Sequence, residues 1–234
     1  VLCFPNMDMH LIERIAEALK RELPGEEAQF RMAHVARRSK VAPPSNVKLA
    51  SVLALLYPRR SQWHLVLIER VANANDRHSG QISLPGGRHD AGDASLEFTA
   101  LREAEEEVGV DAAAVTMLGQ LTDLFIPVSN YLVHPFVGFA AERPGFRPEA
   151  KEVQAIIEVP FEDFLNREKI GKKNLRISEH IELQGVPHFD VQGKTVWGAT
   201  AMMLSELLAV THPEYQLFPR DLSAKLTESK SDQR

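Results

Sequence analysis

The chain has 234 residues, 44% hydrophobic and 25% charged, the proportions of one ordinary globular domain with an elaboration. A formal net charge of −5 argues against a broad, sequence-independent nucleic-acid surface. Cys3 is the only cysteine, which excludes an intrachain disulfide and disfavours a zinc–thiolate site, and no run approaches the about 20 apolar residues of a membrane span.

In chain order, residues 1–6 are too short for the apolar centre of a signal peptide, and the expected compartment is the cytoplasm. Met9 to Leu23 places Ile12, Ile15, Leu19 and Leu23 on one stripe, predicting an amphipathic helix that Pro24-Gly25 ends. It is expected to pack on the domain or on a partner subunit rather than on a membrane. The basic run from Phe30 to Lys40, with Arg31, Arg37, Arg38 and Lys40, reads as a solvated face. Pro43-Pro44 reads as the entry to the main domain, giving a helical extension over 1–46, a domain over 47–218 and a flexible tail over 219–234.

Val47 to Tyr57 and His64 to Arg70 predict a buried hairpin, with Pro58-Arg59-Arg60-Ser61 at its turn. Further strands are predicted over Thr116–Leu124, Tyr131–Ala140 and Val153–Val159, and a short helix over Phe161–Asn166. Ile181 to Val196 reads as strand-turn-strand around Gln192-Gly193-Lys194. An apolar helix follows, with Trp197 read as core at its start. Strands flanking a long acidic helix predict a mixed α/β (α+β) sheet sandwiched between helices.

That acidic helix lies in Gly86 to Val110. Asp93 stands at the N-cap position, good helix formers run to Val108, and Gly109 is the C-terminal stop. At about 100° per residue, Glu103, Glu106 and Glu107 share one narrow face, while Ala94, Leu101, Ala104 and Val108 form an apolar stripe opposite. Arg102 is placed to pair with Glu106 at i,i+4, and Glu105 points into solvent. Three crowded carboxylates repel, and a divalent cation removes the conflict; all-oxygen ligands suit Mg²⁺ or Mn²⁺.

Gly87 followed by Arg102-Glu103-Ala104, then Glu106-Glu107, Gly109 and Val110 resembles the Nudix box. Two departures fall at the loop-to-helix junction: Asp93 stands for the first Glu, and eight residues rather than seven separate it from Arg102. The resemblance implies the Nudix fold with an added N-terminal helix, and a metal-dependent pyrophosphatase. It implies Gly87, Glu103, Glu106 and Glu107 as metal ligands and Arg102 as an orienting residue. The base is one of the helix glutamates or Glu152, which matches a loop glutamate of relatives.

Upstream, residues 77–87 with Leu65 to Arg70 resemble the extra motif of the coenzyme A pyrophosphatase branch, with Leu84 in place of the usual Phe. The resemblance runs from roughly Lys48 to Leu208. Arg70 and Arg77 are candidate phosphate forks, and Gly80, Gln81 and Gly86 candidate substrate contacts. The expected substrate is coenzyme A or a derivative, cleaved to 3′,5′-ADP and 4′-phosphopantetheine. The alternatives are ADP-ribose, NADH or a dinucleoside polyphosphate, or a nucleotide-sensing regulator without turnover. The family and the apolar first helix together suggest a homodimer.

Overall fold

β1 (Lys48–Arg59) and β2 (Gln62–Arg70) form the hairpin that the apolar runs predict, in a computed structural model that describes residues 8, 10–37, 41–72, 80–177 and 181–214. The turn is tighter than the sequence suggests. Pro58 and Arg59 still pair with Trp63 and Gln62, so Arg60 and Ser61 alone reverse the chain, at φ of 50° and 62°. Two left-handed residues in succession match the twist of the flanking strands.

Away from the turn, pairing between these strands stops at Leu56 and Leu65. β3 (Ile82–Ser83) then pairs with β2, and β4 (Gly86–Arg88) with β1. β7 (Tyr131–Ala140) runs parallel to β1, and both β5 (Val115–Gln120) and β6 (Leu124–Ile126) pair with β7. β8 (Val153–Pro160) pairs along β2, completing a mixed sheet of eight strands.

β9 (Ile170–Arg176), β10 (Glu182–Val191) and β11 (Lys194–Trp197) form a separate antiparallel sheet. The sequence reading lacks β9, because its centre, Lys172-Lys173-Asn174, is exposed and has no apolar alternation to show. The β10–β11 turn is Gln192-Gly193, with Lys194 already paired to Val191. The short helix expected over Phe161–Asn166 is a 3₁₀ helix, Phe161–Leu165.

Alternation along β1 divides the core. Leu53, Leu55 and Tyr57 pack with Val66 and Ile68 of β2 against Ala100, Ala104 and Val108 of α3 (Leu96–Val108). Ala54 and Leu56 face the other way, with Leu65 and Leu67, toward α1 (Leu11–Ala18) and α4 (Gly198–Thr211). Each Leu or Ile so enclosed contributes about 1.5–3 kcal/mol. The sheet therefore lies between helices on both faces.

The N-terminal segment is part of this core. α1 is shorter than Met9–Leu23, and Pro24 caps a second helix, α2 (Gly25–Gln29), rather than only ending the first. Ile15 and Met32 have no exposed surface. Glu206 of α4, also without exposed surface, accepts from the Gly25 amide (3.1 Å), Gln29 Nε2 (2.8 Å) and the Thr122 amide (3.3 Å). The apolar stripe of α1 is consumed within the chain, so this helix lends no support to a homodimer.

Arg37 corrects the solvated-face reading: Nη2 donates to the Phe125 carbonyl at 2.7 Å, and burial lowers its pKa. Arg38, Lys40 and the 219–234 tail lie outside the described residues.

Candidate active site

α3 begins later than the sequence suggests. Ser95 is its N-cap, accepting from the Phe98 amide at 3.0 Å, and Gly109 ends it at φ 71°. Ala94 precedes the helix and is exposed, so Ala100 takes its place in the apolar stripe. Asp93 has a different task. Its carboxylate accepts from Arg102 Nε at 2.8 Å and Nη2 at 3.0 Å, from Thr99 Oγ1 at 2.8 Å and from the Asp90 amide at 3.0 Å. The Arg102 fork above all holds that carboxyl far below its ordinary range. The extra residue before Arg102 is absorbed in the entry loop.

Arg102 joins the acidic groups. Nη2 also lies 3.0 Å from Glu103 Oε1, and Nη1 lies 3.1 Å from Glu106 Oε2, the i,i+4 pair that the spacing predicts. A further bond from Nη2 to the Arg88 carbonyl, 3.1 Å, ties the helix to β4.

The three helix glutamates differ sharply in burial: the Glu107 side chain is 2% exposed, Glu103 14% and Glu106 60%. Glu107 Oε2 accepts from the Gly86 amide at 2.8 Å, and Oε1 lies 3.7 Å from Arg70 Nη1. Burial pushes the Glu107 carboxyl up to about 7, against the pull of that amide and of Arg70, with Glu103 and Glu152 adding to the rise. Burial likewise raises Glu103, where Arg102 opposes the shift. Glu105 is exposed and takes no part.

Neither Gly86 nor Gly87 has room for a side chain, Gly86 because of the Ser51–Val52 backbone and Gly87 because of the Glu103 carboxyl. A Cβ on Gly87 would lie 2.5 Å from the Glu103 carboxyl carbon, and one on Gly86 the same distance from Val52 Cα. The Glu103 carboxyl is thus cradled against the loop backbone. Glu152, exposed, stands directly before β8, its carbonyl accepting from the Val71 amide at 2.9 Å, and its charge acts on both Glu103 and Glu107.

The remaining predicted contacts are placed unevenly. The Gln81 carbonyl accepts from the Arg70 amide at 3.1 Å, and Gly80 is exposed at the preceding turn. Arg77 lies outside the described residues. Leu84 is 2% exposed in the core, so its departure from Phe concerns packing. Trp197 is half-buried at the end of β11. Sequence reasoning passed over Ser51 and His134, polar residues buried in apolar strands near the cradle. Their signal was that misfit with their neighbours.

Among the described residues, no three His, Cys, Asp or Glu side chains are gathered as a finished ion-binding cluster. The donor chemistry nonetheless suits a hard divalent cation. Glu107 is buried and Glu103 partly so, both with raised proton affinity beside the Gly86-Gly87 backbone, and Arg102 links Glu103 to Glu106.

The NUDIX domain matches residues 47–181. The chain is 32% identical over 198 residues to Nudix hydrolase 22, chloroplastic, of Arabidopsis thaliana, covering 80% of this chain and 63% of that one, which is less than two thirds. It is 34% identical over 146 residues to the Yersinia pestis protein called uncharacterized Nudix hydrolase NudL, covering 61% and 70%. A solved MutT/nudix family protein from Enterococcus faecalis aligns over 80% of this chain and 71% of its own, at 17% identity and a TM-score of 0.43. With the helix, the glycine loop and the glutamate face in the order described, the chain belongs to the Nudix family.

Proposed function

We propose that the protein is a metal-dependent pyrophosphohydrolase of nucleoside diphosphate conjugates, with coenzyme A or a derivative as its preferred substrate. The observation that carries the reading is the pair of carboxylates, Glu107 buried and Glu103 partly buried, held at the glycine loop with raised proton affinity. Such a pair is poorly stabilised alone and well matched to a cation. Glu103, Glu106, Glu107 and the Gly87 carbonyl are the groups that would hold Mg²⁺ or Mn²⁺. When bound, the cation would offset phosphate charge and make water more acidic.

The chain's own groups do the rest. Arg102 fixes Glu103 and Glu106 by its three-way grip. Arg70 and Arg77 fork phosphate oxygens, and Gly80, Gln81 and Gly86 line the approach. A Glu152 carboxylate oxygen takes the proton of the attacking water. Water oxygen bonds to one phosphorus, the bridging P–O bond breaks, and the pyrophosphate leaves as 3′,5′-ADP and 4′-phosphopantetheine. The upstream residues 77–87 support coenzyme A over other conjugates. A cytoplasmic location belongs to the same reading; among the described residues no helix is long and apolar enough to cross a membrane.

The test is a panel of coenzyme A, an acyl ester, dephospho-coenzyme A, ADP-ribose, NADH and a diadenosine polyphosphate, each with Mg²⁺ and with Mn²⁺. Release of 3′,5′-ADP from coenzyme A at clearly higher kcat/KM than from the rest is expected. Preference for ADP-ribose or NADH overturns the substrate, and binding without any cleavage points to a regulator.

A further inference from the structure

Leu49 of β1, Leu132 of β7 and Phe125 of β6 stand opposite one another in the sheet and make one row across three strands. Residues opposed in register share a face, and so do residues two or four apart along one strand. The row therefore looks toward the α3 side, because Leu53 and Phe136, four residues further along β1 and β7, pack in the cluster beneath that helix. On the opposite face, Leu124, Ile126 and Val133 are buried in the cluster toward α1 and α4. Leu49, Leu132 and Phe125 are only partly buried and belong to neither cluster.

The β1 end of this strip abuts the glycine loop. The His89 amide donates to the Leu49 carbonyl at 3.0 Å, and Gly87, two residues earlier, pairs with Ser51 beside the Glu103 carboxyl. From Leu49 to Phe125 is two strand spacings, about 10 Å. His134 and Asp123 border the strip, two residues from Leu132 and Phe125. His134 Nδ1 lies 2.8 Å from Asp123 Oδ1, and Gln120 Nε2 donates to the same oxygen at 2.7 Å, leaving Oδ2 without a partner among the described residues. Charge is divided across the loop. Arg70, beside Glu107, lies on the β4 side of β1, and β7 with the strip lies on the other. The strip and its border carry no Lys or Arg side chain, and Arg37 meets β6 at the Phe125 carbonyl, in the plane of the sheet.

We propose that this strip seats the uncharged arm of the substrate, the half that leaves with a single phosphate, and that Asp123 Oδ2 accepts from the N–H or O–H groups of that arm. In the reading given under Proposed function, on which the inference rests, the arm is pantetheine. An extended chain of methyl, methylene and amide groups offers apolar surface to Leu49, Leu132 and Phe125, and donors to a carboxylate. The nucleotide half is the poorer occupant. As 3′,5′-ADP it bears a second phosphate, which the Asp123 carboxylate repels and the Arg70 fork attracts. The strip thus sets the orientation of the substrate, with the nucleotide toward Arg70 and the arm laid across β1 and β7 toward β6.

The experiment is calorimetric titration of 4′-phosphopantetheine and of 3′,5′-ADP, with Mn²⁺ present, into the full chain and into Leu132→Thr, Phe125→Thr and Asp123→Asn, together with the kinetics of coenzyme A cleavage. Threonine suits a strand and removes apolar surface. Each variant is expected to bind 4′-phosphopantetheine about 10-fold more weakly while its affinity for 3′,5′-ADP stays within about 2-fold. KM for coenzyme A should rise with kcat little changed. Should the threonine variants fail to fold, Asp123→Asn, at a side chain 40% exposed, carries the test. Equal weakening of both products overturns the proposal as the mark of a disturbed fold, and weakening of 3′,5′-ADP alone overturns it by reversing the orientation. Unchanged affinity for both, with coenzyme A still cleaved, overturns it and leaves the pyrophosphatase reading standing. A dimer of the full chain that Phe125→Thr splits also overturns it, since a second copy then covers the strip. A full chain that neither cleaves coenzyme A nor binds either product overturns the reading under Proposed function, and the seat with it.

Discussion

At the scale of single residues, Glu107 makes the fold sensitive to pH. Its carboxyl rises from 4.5 to about 7 on folding because burial disfavours the charge. The folded state therefore favours the protonated form. Its stabilising contribution is full below about pH 4.5 and is lost as pH rises through about 7, a difference of roughly 3 kcal/mol. Asp93 acts in the opposite sense and in a lower window, since its pKa is depressed below 3.8. With chelator present, the melting temperature should fall between about pH 5 and pH 8, and Mg²⁺ should restore it at the upper end. Glu107→Gln should flatten the slope; an undiminished slope in that variant would assign it to another group.

Gly87 gives a second residue-scale prediction. Gly87→Ala places a methyl where the Glu103 carboxyl lies, so that carboxyl must move. Displacement by about 1 Å commonly costs about 10²-fold in rate. We expect that loss in kcat with the circular dichroism spectrum intact, whereas near-normal turnover would show that Glu103 need not sit against the loop. Glu106→Gln together with Glu107→Gln should abolish turnover in a folded protein.

At the scale of elements, α3 shows what the sequence could and could not convey. Its acidic face, its Gly109 stop and the Arg102–Glu106 pair all follow from spacing on a helix. Its start does not, because Asp93 and Ser95 are equally good capping residues. The choice is made by tertiary contacts, the Arg102 fork and Thr99 hydroxyl that engage Asp93, and spacing carries no record of those. The two positions should therefore separate in experiment. Ser95→Ala should cost about 1 kcal/mol in urea unfolding and leave turnover intact. Asp93→Ala should lower kcat about 10-fold or more by releasing Arg102; a reversed pattern would restore Asp93 as the cap. β9 was illegible for a related reason, since a strand paired on one side and exposed elsewhere has no alternation to display.

For the molecule as a whole, the N-terminal segment was legible as an amphipathic helix that packs on the domain or on a partner subunit, but not which of the two. Hydrophobic period locates an apolar face without naming what covers it. Here the cover is α4, and Glu206 is the tie, with donors from Gly25, Gln29 and Thr122. Glu206→Leu leaves the part-buried Gly25 and Thr122 amides, and the Gln29 Nε2 hydrogen that does not go to the Thr122 carbonyl, without an acceptor. At about 1–3 kcal/mol each, the loss of stability should reach roughly 3 kcal/mol or more by chemical denaturation. A loss under about 1 kcal/mol would mean that the segment docks by apolar contact alone.

The same tie has a temporal side. Gly25 and Glu206 are 181 residues apart, so the first helices have no acceptor to dock on until the chain has been made that far. At ribosomal rates of about 5–20 residues per second, they wait on the order of 10–40 s with their apolar faces uncovered. During that interval Ile12, Ile15 and Met32 are exposed to whatever else binds nascent chains, and this part of the fold closes only when Gly25 and Glu206 meet.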